Sequence, residues 1–185
     1  MLQVLCLCLS LFSSDPVKVH SVCDVSQQFT FYMDGRFYRQ YLKGQAVDAR
    51  NWGSLSDPTH RAEGVNPLCG DNVTLMLKVL DGSISEIAVE GESCAICKAS
   101  ASMMTTSIKG KSVDLAERLA AEFRQMVTGQ SEGIKKENLG RLKVFQGIKD
   151  LPSRIKCAVL PWHTLHAAVN SIDQVSTEGS DDPLS

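Results

Sequence analysis

Aromatic residues are scarce, at 6% of the chain, and neither sign of charge dominates, since 19 Lys and Arg against 21 Asp and Glu leave a net charge of -2. The first shortage removes the stacking platforms on which unpaired bases sit, and the second removes the basic surface that a phosphate backbone requires. Nucleic acid is therefore not an expected partner. Long apolar runs are lacking too. The stretch from Leu2 to Phe12 is broken by Gln3 and Ser10, and it falls short of the roughly 20 residues that a membrane-spanning helix needs. No Lys or Arg precedes it and no clear small-x-small cleavage site follows, so it reads either as the apolar part of a targeting segment or as a start with no part in the fold. Internal repeats are absent, and the cysteine gaps match no short zinc-finger pattern.

What remains suits one globular domain with tails. Hydrophobic residues at 43% and charged residues at 22% of 185 positions are ordinary proportions, and a chain of this size can bury an adequate core. Seven cysteines, at 6, 8, 23, 69, 94, 97 and 157, are an odd number. A fully paired disulfide framework is thereby excluded, which favours a reducing, cytoplasmic setting with free or metal-bound thiols.

Residues 1–28 lack sustained periodicity and read as an extension of uncertain role, 29–172 as the folded domain, and 173–185 as a disordered acidic tail with little to bury. Arg36 to Val47 reads as a helix, followed by a loop through Asn51-Trp52-Gly53 and Ser56-Asp57-Pro58. Val73, Leu75, Leu77 and Val79 then alternate with polar or less apolar neighbours at the period of a strand. Asp81-Gly82 marks a tight hairpin, and Ile84, Ile87 and Val89 lie in the return strand, with a break in alternation at Ile87 that marks a bulge. Ala95 to Lys109 is a buried helix stopped by Gly110. Ser112 caps a second helix with Leu115, Leu119, Phe123, Met126 and Val127 on its apolar side and Gly129 beyond its end. A short helix is expected over Leu139 to Ile148, a break at Pro152, and a last helix from Cys157 to about Ile172. This order predicts an α+β fold, a small antiparallel sheet packed against several helices on one face.

Cys69, Cys94 and Cys157 each fall at an expected element boundary, and Asp71 stands two residues after Cys69. Three soft sulfurs and one hard oxygen suit zinc or iron better than magnesium or calcium. At a helix start the positive end of the helix would favour thiolate over thiol. The same cysteines also read as small buried apolar residues. Cys97 is open in the same way: with Cys94 it forms a Cys-x-x-Cys pair of redox type, or it is one more buried thiol. Arg154 either acts electrostatically near the thiolates or caps a surface. His163 and His166 share a helix face, and Gly110-Lys111-Ser112 resembles the end of a phosphate loop whose first glycine is replaced by Thr105.

The neighbours of these residues carry a resemblance. Asn66-Pro67-Leu68-Cys69-Gly70-Asp71-Asn72, Gly91-Glu92-Ser93-Cys94-Ala95-Ile96, Ala99-Ser100-Ala101-Ser102-Met103-Met104-Thr105, Lys109-Gly110-Lys111-Ser112 and Pro152-Ser153-Arg154-Ile155-Lys156-Cys157-Ala158 resemble, in that order, the iron-sulfur scaffold family of IscU and the N-terminal part of NifU. Two features look like its SufU branch: an extra segment from Gly129 to Ile148, and Lys156 where IscU-type scaffolds carry a histidine. The resemblance implies an iron-sulfur cluster assembly protein, a zinc-dependent sulfurtransferase that accepts persulfide sulfur on Cys69 from a SufS-like cysteine desulfurase. It implies zinc held by Cys69, Asp71, Cys94 and Cys157, and delivery to downstream assembly machinery. The alternatives are a scaffold holding iron or a transient iron-sulfur cluster on the same residues, and a non-catalytic zinc-stabilised domain. Gln45-Ala46-Val47-Asp48-Ala49-Arg50-Asn51 departs from the family's usual signals in a segment that contributes there to partner contact.

Overall fold

The computed structural model describes residues 35–130 and 136–178, all within the compact unit that begins at Asp34. The apolar run at Leu2–Phe12, the extension 1–28 and the end of the tail lie outside the described residues. The elements are α1 (Gly35–Val47), β1 (His60–Asn66), β2 (Asp71–Leu80), β3 (Ser83–Glu92), α2 (Ala95–Ile108), α3 (Val113–Thr128), a 3-10 segment (Lys136–Ile148) broken at Gly140, α4 (Pro152–Val169) and β4 (Gln174–Ser176).

The hairpin follows from local chemistry. Asp81 and Gly82 both adopt positive φ, 49° and 71°, the backbone that matches strand twist in a two-residue connection. Val73, Leu75 and Leu77 are buried on β2, and Ile84, Ile87 and Val89 on β3. Residues 84 and 87 reach the same side because Lys78 pairs with Glu86 while Val79 pairs with Ile84. Ser85 is thus the extra residue, one turn of the pleat earlier than the irregularity expected at Ile87, and its hydroxyl donates to the Lys78 carbonyl at 2.8 Å.

The α+β class and the antiparallel β2–β3 hairpin agree with the sequence, β1 is a strand not expected from the sequence, and the sheet is mixed. Its order is β3-β2-β1-β4, and β4 runs parallel to β1 through Glu63/Gln174, Gly64/Val175 and Val65/Ser176. The tail expected to be unstructured from Asp173 therefore contributes an edge strand, and Lys156 pairs with Glu178 beyond it at 2.5 Å. β1 itself carries no large apolar stripe. Its inward positions are Ala62, Gly64 and Asn66, which is why the alternation is invisible in a hydrophobicity pattern.

α4 is the central element. Buried from Cys157 to Leu165 and again at Ala167 and Ala168, it is apolar nearly all round, as an enclosed helix must be. The sequence places a break at Pro152 and a helix start at Cys157; the helix instead starts at Pro152, because proline suits the first turn, where no N–H is required. Pro161 consequently lies in the helix interior, where it cannot donate to the carbonyl of Cys157. Around α4, Trp162 stacks on Phe123 with ring centroids 4.7 Å apart, and Phe123 meets Phe145 edge-on at 5.4 Å. Ser112 accepts the Leu115 N–H at 3.3 Å to cap α3, and Gly129 ends it at φ 82°. Ser112 thus serves a helix start. The face of α3 turned inward is Ala116, Ala120, Phe123, Met126 and Val127, while Leu115 is exposed.

Gly64 is required by the approach of α4 to β1, since a Cβ there would lie 2.0 Å from Thr164 Oγ1 and 3.1 Å from Leu160 Cδ1. Gly64→Ala should lower stability by about 1–3 kcal/mol, the usual range for overpacking, read as a shift of the urea midpoint at unchanged slope. A neutral substitution would show that α4 does not press on β1 at this point.

Candidate metal centre

The β1–β2 connection, Pro67 to Gly70, turns with Gly70 at φ 69° and Cys69 N–H donating to Asn66 O at 3.2 Å. That turn places Cys69 at the mouth of the site, half-buried, and makes Asp71 the first residue of β2, 1% exposed. Asp71 is held from two sides. Oδ1 accepts the backbone N–H of Cys94 at 2.6 Å, and Oδ2 accepts from Asn66 Nδ2 at 3.2 Å.

Cys94 is the N-cap of α2 and makes no side-chain cap of its own. The carboxylate of Asp71, from another element, satisfies its N–H and brings negative charge to the helix start, where it is favoured. Cys157 enters from α4, fully buried, with Sγ 3.0 Å from Cys69 Sγ and accepting from Asn66 Nδ2 at 3.3 Å. Arg154, one turn earlier on α4 and exposed, points Nη1 at Cys69 Sγ from 3.9 Å.

The four cysteines among the described residues are all free thiols. One sulfur or oxygen from each of Cys69, Asp71 and Cys157 lies within 4.8 Å of the other two, a set able to hold a metal ion. Cys94 stands beside this set: its thiol is hydrogen-bonded to Cys157, yet it is not one of the three mutually close donors.

The thiols of Cys94 and Cys157 are shifted in opposite directions. The hydrogen bond from Cys157, helped by the backbone N–H groups of Cys97 and Ile96, lowers the Cys94 thiol to about 7 against the opposing effects of burial and Asp71. Hydrogen bonding to Cys94, burial and hydrogen bonding to Cys69 drive Cys157 far above the ordinary thiol range. Cys157 thus holds its proton beside the other sulfurs, with its Sγ donating to Cys69 Sγ at 3.0 Å. A borderline-soft divalent ion such as zinc fits this donor set of sulfur with one carboxylate.

Cys97 is fully buried in α2, and desolvation followed by the Asp71 charge raises its thiol well above the usual range. That environment suits a packed thiol better than one partner of a redox pair. His163 is buried on α4, whereas His166 Nδ1 lies 3.0 Å from Glu117 Oε1, so the two rings serve different surroundings. Asn66 received no role in the sequence. Its signal was its place, closing β1 opposite Asp71 in register.

A small α+β domain that gathers cysteine and aspartate from three separate segments defines a class of metal-handling protein. The family model described as the NifU-like N terminal domain matches residues 38–158, and the chain belongs to that family. It is 42% identical over 133 residues to the zinc-dependent sulfurtransferase SufU of Bacillus subtilis (strain 168), covering 71% of this chain and 88% of that protein. The iron-sulfur cluster assembly scaffold protein IscU of Thermotoga maritima is 38% identical over 137 residues, covering 74% and 95%. Among solved structures, a candidate iron-sulfur cluster assembly scaffold protein for the SUF system from Fervidobacterium islandicum AW-1 superposes with a TM-score of 0.64 at 32% identity, covering 72% and 93%. Among the described residues, no helix is long and apolar enough to cross a membrane.

In metal-free protein, Cys94 should alkylate with a half-maximal rate near pH 7, where the thiol pKa of about 7 places its ionisation. Cys97 should stay unmodified until the fold is opened by denaturant. Iodoacetamide labelling read by peptide mass spectrometry checks both; fast labelling of Cys97 in the native state would contradict its burial.

Proposed function

We propose that this chain is a SufU-like sulfur-transfer protein of iron-sulfur cluster assembly, with zinc held by Cys69, Asp71, Cys94 and Cys157 and with Cys69 as the sulfur acceptor. The observation that carries the reading is the convergence of Cys69, Asp71 and Cys157, in which the last two are buried and Cys69 is reachable. The similarity to a zinc-dependent sulfurtransferase supports it. The hydrogen bond between Cys94 and Cys157 supports Cys94 as the fourth ligand. When bound, zinc would favour the thiolate form of its cysteines and tie the three segments together.

The residues divide the work. Cys69, on a turn, attacks the outer sulfur of a cysteine persulfide presented by a cysteine desulfurase. One S–S bond forms on Cys69 as another breaks, the partner's cysteine leaves as thiolate, and no net oxidation occurs. Arg154 supplies positive charge beside the attacking sulfur. Leu68, 66% exposed next to Cys69, offers apolar surface to a protein donor. The product persulfide is a sulfur source for the downstream assembly machinery, and because free thiols in a reducing cytoplasm would strip its outer sulfur as sulfide, it calls for direct hand-over.

A second reading, a scaffold with an iron-sulfur cluster as cargo, has the same donors and the IscU relative in its favour. Lys156 weighs against it, because its ammonium group is committed to Glu178 and offers no lone pair for iron.

Zinc-loaded protein mixed with a cysteine desulfurase and cysteine should gain one sulfur atom on the peptide containing Cys69, and Cys69→Ser should abolish the gain. Full zinc occupancy without sulfur on Cys69 would sink the transfer reading. An oxygen-sensitive visible chromophore after anaerobic treatment with iron and sulfide, lost on Asp71→Ala, would establish the scaffold instead.

A further inference from the structure

One buried polar side chain at the centre has no part in sulfur chemistry. Asn66 closes β1, is 0% exposed, and lies opposite Asp71 in strand register. Its amide nitrogen donates to both Asp71 Oδ2 at 3.2 Å and Cys157 Sγ at 3.3 Å. Its Oδ1 is buried with no hydrogen-bond partner among the described residues.

The orientation is set by charge, because the reversed amide would place an acceptor oxygen against the carboxylate. Holding the nitrogen there leaves Oδ1 with an uncompensated desolvation penalty, so the amide is kept in this place for the bonds its nitrogen donates and not for its oxygen. What the amide contributes is the pair of donated bonds. They join the start of β2 to the middle of the site-facing turn of α4, two segments 86 residues apart (157 minus 71).

We propose that Asn66 is a positioning residue for the metal centre, whose carboxamide fixes the Asp71 carboxylate and the Cys157 sulfur relative to each other and thereby sets how firmly zinc is retained. The inference rests on the ligand set proposed above. With Oδ1 engaged by the Cys94 N–H and Oδ2 by Asn66, Asp71 has one orientation; without Asn66 the carboxylate is free to pivot about its remaining bond. Groups that orient metal ligands in this way typically govern affinity by 10- to 100-fold.

Zinc affinity, measured on the full chain by competition with a chromophoric chelator, tests this with Asn66→Ala, the shape-matched Asn66→Leu, Asp71→Ala and the double variants. Both Asn66 variants should weaken zinc about 10- to 100-fold, while the metal-free protein, which loses a donor to the buried Asp71 carboxylate, still folds cooperatively at a lowered melting midpoint. The weakening should shrink in the Asp71→Ala background, as expected for a residue that acts through Asp71. Affinity within about threefold of wild type in both variants, far below that range, overturns the inference. So does a loss undiminished by Asp71→Ala, or a metal-free protein that no longer folds in either variant. Wild-type protein that takes up no zinc, or whose affinity ignores Asp71→Ala, refutes the ligand set itself, a result read without any Asn66 variant.

Discussion

The two oxygens of the Asp71 carboxylate organise this molecule. One closes the open N-terminus of α2 and the other takes the amide of Asn66, which in turn reaches Cys157 on α4. Four elements therefore meet at one buried anion, 1% exposed. An isolated carboxylate in that position would be expelled to water or neutralised; here hydrogen bonds and a helix end retain it. The sulfurs are placed by the same bonds, since Cys94 is the residue whose N–H Asp71 accepts and Cys157 shares the Asn66 donor.

The sequence revealed the parts of the fold that depend on local chemistry. Asp81-Gly82 dictates its hairpin, and Ser112 and Gly129 bound α3, because each needs only its own backbone angles or one nearby N–H. The parts that escaped depend on distant partners. β1 buries Ala62, Gly64 and Asn66, and the narrowness of Gly64 has meaning only against Thr164, a hundred residues later. β4 is three residues long and acquires its identity from β1. At Pro152 the same residue type serves as a helix breaker or a helix opener, and only the packing of α4 decides between them.

The site divides in the same way. Cys69, Asp71, Cys94 and Cys157 stood out as a donor set from residue type and neighbours, and three of them converge in space. Spacing alone left the question open, since 25 and 63 residues separate the successive cysteines (94 minus 69, and 157 minus 94). Cys157 drew its meaning from an expected helix start that does not exist; it lies inside α4, and its environment is made by the other thiols rather than by a helix end. Asn66 was in view as part of a motif but silent, because a side-chain amide acquires a role only from what it touches.

The supports beneath the two closest sulfurs differ in kind. Cys157 opens the buried stretch of α4, a helix whose own Trp162 stacks on Phe123 and which packs on the sheet, so its backbone is tied to the core. Cys69 sits on a four-residue turn, Pro67 to Gly70, where its N–H donates to Asn66 O at the end of β1, outside the strand ladder. Amide exchange would accordingly report two regimes within 3.0 Å of each other, global at one sulfur and local at the other. The centre is an anvil on one side and a latch on the other.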